Sequence, residues 1–319
     1  MNSPAPPVDS DVLRTLEEVV EKELDRHLAA AREWFPHEYV PWSRGRDFAG
    51  ELGGEPWARE QSPVGELAAT ALKVNLLTED NLPSYHHQFA TLFGADGAWG
   101  TWVRQWTAEE ARHSVVIRDY LLASRAIDPV DLERARMAHM TAAPPPNDVG
   151  VLENIAYVAF QELATRISHR NTGRVSGDPV CERLLTRVAM DENLHMVFYR
   201  NVLAAALEAE PDRTMRAISR VVSSFAMPGA GIPGFTRAAA RMAVGDIYNL
   251  RIHHDEVLQP VLRHFDALYR SDLGPEGRRH QDHLGRHLDD LAVQAARFDE
   301  HRAVVLARTA ARTRAHADG

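Results

Sequence analysis

Two tetrapeptides, Glu110-Ala111-Arg112-His113 and Glu192-Asn193-Leu194-His195, decide how this chain is read. Residues three apart share one face of a helix, so each tetrapeptide aims a carboxylate and an imidazole at one point. A single Glu-x-x-His is a weak signal, since roughly one arises by chance in a chain of this size. The partners strengthen it. Glu79 stands 31 residues before Glu110, and Glu162 stands 30 residues before Glu192. Each of these two Glu falls within its own helical stretch, and a turn separates it from the helix that bears Glu-x-x-His. Two such helix pairs, packed antiparallel, bring four Glu and two His into the centre of a four-helix bundle. That is the ligand set of a di-iron or di-manganese carboxylate protein.

The neighbours of these residues argue against a solvated face. Glu79 follows Leu76-Leu77, Glu162 lies within Ala159-Phe160-Gln161-Glu162-Leu163-Ala164, and His195 precedes Met196-Val197-Phe198. An unpaired carboxylate on such a stretch is costly, and a pair of metal ions would compensate it. Carboxylates with imidazoles and no thiolate suit iron or manganese better than structural zinc.

Composition bounds the rest. The chain has 319 residues, a formal net charge of −9, 16 His and one Cys, Cys181. One Cys excludes an intrachain disulfide and any Cys-based zinc or iron–sulfur site, and suits a reducing cytoplasm. The acidic balance argues against nonspecific nucleic-acid binding. No apolar run reaches the length of a membrane span, and Met1–Pro7 lacks the pattern of a secretory signal.

Ala, Leu, Arg and Glu dominate, with apolar residues recurring at three and four, so the fold class is all-α. Helices are expected near 11–33, 63–93, 97–126, 148–175, 178–208, 212–226, 234–268 and 277–312. Ser62-Pro63, Asp128-Pro129 and Asp178-Pro179 each place a capping side chain before a proline at the first helical position. Loops are expected at 36–60, at 141–150 with Pro144-Pro145-Pro146, and at 227–234. The division is a disordered lead at 1–10, one helical domain at 11–306 and a frayed tail at 307–319. The other His, among them His86, His87, His139, His169, His253, His254, His280 and His283, read as surface or packing residues, and Cys181 as a small core residue.

Longer words surround the six ligand candidates. Thr78-Glu79-Asp80-Asn81-Leu82-Pro83-Ser84-Tyr85 is similar to TEEALPTY of the soluble acyl-[acyl-carrier-protein] desaturases. Trp106-Thr107-Ala108-Glu109-Glu110-Ala111-Arg112-His113 is similar to that family's WTAEENRH. Gln161-Glu162-Leu163-Ala164-Thr165-Arg166-Ile167-Ser168-His169 resembles QERATFISH, and Asp191-Glu192-Asn193-Leu194-His195 its DExxH. The resemblance runs from about Trp34 to residue 300. It implies a ferritin-like four-helix bundle with additional helices, assembled as a homodimer. It implies two iron ions per subunit, with manganese as the alternative, and O2 as co-substrate. Two electrons from a ferredoxin-type donor would support insertion of a cis double bond into a saturated acyl chain on acyl carrier protein.

Residue roles follow from the same resemblance. Glu79 and His113 would ligate one iron, Glu162 and His195 the other, and Glu110 and Glu192 would bridge them. Thr165 matches a threonine placed to deliver protons. Asp191 matches a carboxylate that holds a ligand imidazole, and Trp34 a surface-side tryptophan, so Trp34, Asp191 and His113 would form an electron path. Trp106 would lie beside the acyl channel, with Thr91 and Leu92 lining it.

Acyl carrier protein and ferredoxin are acidic, so a chain of charge −9 must meet them through local basic patches. Arg26 and Arg32 are candidates, as is the stripe Arg213, Arg216 and Arg220, spaced for one helical face. Three other functions compete. Iron oxidation or storage would want a shorter bundle. A radical-generating reductase subunit would want a Tyr one turn after the first Glu-x-x-His, where Ile117 stands, although Tyr199 holds that place after the second. Hydroxylation of a carrier-bound chain shares the same site chemistry.

Overall fold

A computed structural model describes residues 7–142 and 149–317. The first helix, α1, spans Pro7–Ala30. Short 3-10 turns at 36–38, 42–44 and 59–61 lead to α2 (Glu66–Asp80) and α3 (Leu82–Phe93). Then come α4 (Gly97–Ala123), α5 (Pro129–Met140), α6 (Val151–Ser176), α7 (Pro179–Ala209) and α8 (Pro211–Ser224). The chain ends with α9 (Phe235–Val244), α10 (Leu250–Ile252), a π turn (His253–Leu258), α11 (Gln259–His264) and α12 (Pro275–Ala317). No strand occurs among the described residues; one isolated bridge joins Phe48 and Glu55. The all-α expectation is met.

Four helices close a ring in which α2 packs on α4, α4 on α7, α7 on α6 and α6 on α2. The side chains explain the closure. On α4, Trp99, Trp102, Trp106, Glu109, Glu110 and His113 are all buried and recur at three and four. On α7, Leu184, Val188, Glu192, His195, Tyr199 and Val202 do the same. Each ligand candidate thus continues an apolar stripe and is carried inward by it. Trp102 of α4 and Phe198 of α7 stack with ring centroids 3.5 Å apart. Outside the ring, α1 lies on α4 and α7, and α8 lies between α6, α7 and α12.

Several boundaries differ from the expected ones. The stretch 63–93 is two helices, broken at Asn81. Pro83 lacks an amide hydrogen, and its ring would clash with the carbonyl of Glu79 in a continuous helix. Ser62 caps nothing. Its hydroxyl donates to the carbonyls of Val64 and Ala126, and α2 starts three residues after Pro63. The stretch 234–268 is interrupted after Val244, where Asp246 takes a φ of 61°, and again by the π turn. Helix α1 begins at Pro7, inside the expected lead, and α12 continues to Ala317, inside the expected frayed tail. Pro144-Pro145-Pro146 lies outside the described residues. Cys181 is buried in the core, as read.

Asp178 and Asp128 do cap their helices. Asp178 accepts from the Val180 amide at 2.9 Å, the Arg44 guanidinium at 2.7 Å and the Tyr120 hydroxyl at 2.8 Å. Burial opposes its charge, but these donors more than offset that and hold the carboxyl below its ordinary value of 3.8. Asp178→Ala is therefore expected to lower stability by about 2–4 kcal/mol in denaturant unfolding, through the lost cap and the stranded Tyr120 hydroxyl. A depressed carboxyl contributes stability above its unfolded value and loses it as pH falls through the folded one. Asp178→Asn should accordingly show a shallower loss of stability below about pH 4 than the wild type.

Candidate metal centre

All six ligand candidates reach the middle of the ring, and all are buried. They form two overlapping groups, Glu79, Glu110, His113 and Glu192, and Glu110, Glu162, Glu192 and His195. Within each group one ligand atom per residue lies within 4.8 Å of every other. Glu110 and Glu192 belong to both groups, the position of bridging carboxylates. Both imidazoles turn Nδ1 inward. His113 Nδ1 lies 3.4 Å from Glu110 and 3.7 Å from Glu79. His195 Nδ1 lies 2.8 Å from Glu110 and 3.8 Å from Glu162.

The donor set fits a pair of divalent cations. Four carboxylates balance two such charges, and the donor types are those of iron or manganese. The buried atoms also need partners. Glu110 Oε1, Glu162 Oε2, Glu192 Oε2, His113 Nδ1 and His195 Nδ1 make no hydrogen bond. A protein rarely leaves so many polar atoms unsatisfied in one place without a ligand or function to explain them.

Protonation tells the same story. Burial and the charges of Glu110 and Glu162 push the Glu192 carboxyl well above the usual carboxylate range. Burial disfavours charge on His113 and His195, but the surrounding carboxylates outweigh it and raise both imidazoles. Without metal, the cluster neutralises itself by holding protons. Metal binding must displace them.

A polar layer lies behind each imidazole. His113 Nε2 is 3.5 Å from Asp191, which accepts from the Trp34 indole N–H at 2.8 Å. Arg187 also pairs with Asp191. Trp34, expected toward the surface, is only 4% exposed, because Arg112 and Arg187 cover its ring faces. His195 Nε2 lies 2.8 Å from Glu109, which also meets His27 at 2.9 Å.

Two residues at this centre escaped the sequence reading. His169 was read as a packing residue. It sits 3.1 Å from Glu79 and 3.4 Å from Glu192, and these carboxylates lift its imidazole to about 9 against the effect of burial. It lies two turns after Glu162 on α6, hence on the same face, and that spacing was visible. His27 continues the α1 stripe Val12, Leu16, Val20 and Leu24, which looks like ordinary core.

The channel residues divide. Trp106 is buried beside the centre, and its indole N–H donates to Glu162 at 3.1 Å. Leu92 is half-buried against the core. Thr91 is exposed, because Phe89 and Phe93 take the inward face of α3. An apolar cavity of about 50 Å3 adjoins the centre from the other side, at Glu79. Thr165, Met227, Phe235, Met242 and Tyr248 are among its walls, and Trp106, Thr91 and Leu92 are not. The Thr165 hydroxyl donates to the carbonyls of Gln161 and Glu162, both at 3.1 Å.

Comparison with known proteins shows the family. The profile of a family described as fatty acid desaturase matches residues 8–315. The chain belongs to this family. Among the desaturases it resembles, the putative acyl-[acyl-carrier-protein] desaturase DesA1 of Mycobacterium tuberculosis is 44% identical, over 97% of this chain and 94% of the relative. The acyl-[acyl-carrier-protein] desaturase 7 of rice chloroplasts is 31% identical, over 87% of this chain and 74% of its own. An X-ray structure of the putative acyl-ACP desaturase DesA2 from Mycobacterium tuberculosis superposes with a TM-score of 0.69 at 27% identity, covering 85% of this chain and 99% of that one.

Purified desaturase is expected to bind about two iron or manganese ions per chain, measured by elemental analysis, with a rise in Tm on loading. Glu110→Ala and His195→Ala should each lose both the metal and the rise. Full metal retention in both variants would remove these residues from the ligand set.

Proposed function

We propose that this chain is a di-iron acyl-[acyl-carrier-protein] desaturase, working in the cytoplasm as a homodimer, that introduces a cis double bond into a carrier-bound acyl chain. The observation that carries this reading is the pair of overlapping Glu/His groups, with their unsatisfied buried atoms, against an apolar cavity. The names of the relatives point to the same substrate class.

Glu79, Glu110, His113, Glu162, Glu192 and His195 would hold the metal pair. Bound iron supplies the oxidising power, with O2, that removes hydrogen from unactivated methylenes. The protein's share is position, dryness and protons. The walls formed by Met227, Phe235 and Met242 exclude water and favour an alkyl chain beside Glu79. A volume of about 50 Å3 is far below the roughly 300–1,000 Å3 of a ligand pocket, so an acyl chain must displace wall side chains. The two Met walls are the flexible kind that can yield. Thr165 uses its hydrogen on its own helix, which leaves the hydroxyl oxygen able to accept a hydrogen bond at the cavity wall. Trp34 donates to Asp191, and Asp191 lies 3.5 Å from His113, an order of groups that would suit electrons from a ferredoxin-type donor.

The basic stripe on α8 has a structural setting. Arg220 is exposed and lines an open groove of about 800 Å3 with Arg279, His280, His283 and Arg286, and Glu153 is the acid among the lining residues. Arg216 is tied to Glu276 at 3.4 Å outside it. The groove offers an acidic carrier protein a local field opposite to that of the whole chain.

Incubation of the reduced, iron-loaded protein with acyl carrier proteins of varied chain length should give a product two mass units lighter. A gain of one oxygen instead would establish the hydroxylase reading. Charge reversal at Arg220 and Arg279 together should raise KM for the acyl carrier substrate about tenfold and leave kcat unchanged, the mark of a docking surface. An unchanged KM would remove the groove from the reading.

A further inference from the structure

We propose that His27 is a positioning residue for the metal centre, acting on His195 through Glu109. The inference rests on the metal-centre reading and adds to it a residue from outside the four ligand helices.

His27 sits on α1, three residues from its C-terminal end, and is 1% exposed. Its Nε2 lies 2.9 and 3.2 Å from the two oxygens of Glu109. Its Nδ1 is buried and makes no hydrogen bond. The ring is therefore oriented by Glu109 and by stacking alone. It lies 5.7 Å from the His195 ring at an interplanar angle of 22° and meets Trp102 edge-on at 5.0 Å. A core histidine placed only for packing would not need to aim a nitrogen at a carboxylate. Glu109 in turn accepts from His195 Nε2 at 2.8 Å and from Gln105 at 2.6 Å. That last bond is local to α4. The bond to His27 ties the carboxylate to a different helix and restrains it sideways.

The consequence falls on the other nitrogen of His195. With Nε2–H held by Glu109, Nδ1 faces Glu110 and Glu162 and is the nitrogen left to bind a metal. A carboxylate behind a ligand imidazole fixes its tautomer and its ring orientation. His27 fixes the carboxylate. The second imidazole has a looser counterpart. His113 Nε2 lies 3.5 Å from Asp191 without a hydrogen bond, and Asp191 accepts from Trp34. Both outer donors, His27 and Trp34, come from the N-terminal segment. This segment contributes no ligand and yet contacts the carboxylates behind both ligand histidines.

The test compares wild type, His27→Phe and His27→Gln, each loaded with 57Fe. Phe keeps a ring of similar size without a donor; Gln keeps a donor. Mössbauer spectra should show one of the two iron signals changed in His27→Phe, the other unchanged, and the changed signal restored toward wild type in His27→Gln. Loss of iron to a chelator should be about threefold to tenfold faster in His27→Phe. That is less than the roughly 10–100-fold effect of removing a carboxylate in direct contact with a ligand. If wild type binds no metal, the metal-centre reading fails. If wild type binds two irons and His27→Phe matches it in both measurements, the positioning role fails. His27→Gln behaving as His27→Phe would make the ring a packing element. A third metal ion per wild-type chain, absent from His27→Phe, would make His27 a ligand and also overturn the proposal. Should His27→Phe not fold, His27→Leu, apolar and smaller, carries the same comparison against His27→Gln.

Discussion

The structure is organised around one electrostatic burden, four carboxylates and two imidazoles held out of water at a single point. Each lone carboxylate there would be strongly unfavourable. The bundle handles the burden in layers. Apolar stripes on α4, α6 and α7 carry the charged groups inward. The groups then neutralise one another with shared protons or with cations. Behind them stands a shell of fixed donors, Trp34, Arg187, His27 and Gln105. The outer helix α1 matters to the centre because it supplies His27 to that shell.

This layering explains which parts of the molecule could be read from sequence. The six ligand candidates were legible because helical geometry turns a spacing of three into a shared face, two helices carry that pair, and a single Glu stands about 30 residues before each. The caps at Asp128 and Asp178 were legible because the chemistry is local. Ser62 offered the same signal before Pro63 and failed, because Val64 and Ala126 provided carbonyls that no local pattern announces. The break at Asn81 was implicit in Pro83, but the apolar periodicity ran through it.

The remaining centre residues were less legible for a tertiary reason. His27 and Glu109 are 82 positions apart and meet only because α1 lies across α4. His27 occupies a stripe position that an apolar residue would fill equally well. His169 gave a real signal, two turns from Glu162, but its role emerges only with the carboxylates of α2 and α7 beside it. Thr91 was misplaced for a simpler reason. Its neighbours Phe89 and Phe93 claim the inward face of α3, and a residue midway between them must point away.

The break between α2 and α3 gives one carboxylate a distinct mechanical footing. Glu110, Glu162 and Glu192 sit deep within long helices, whereas Glu79 is the penultimate residue of α2. It stands at the negative end of the helix dipole, where a carboxylate is disfavoured by about 0.3–1 kcal/mol. Fewer backbone hydrogen bonds brace it, and it faces the apolar cavity. Of the four carboxylates, Glu79 alone rests on a helix end, where His169 rather than a further turn of backbone steadies it. The one weakly braced member of the frame is thus the one on the cavity side.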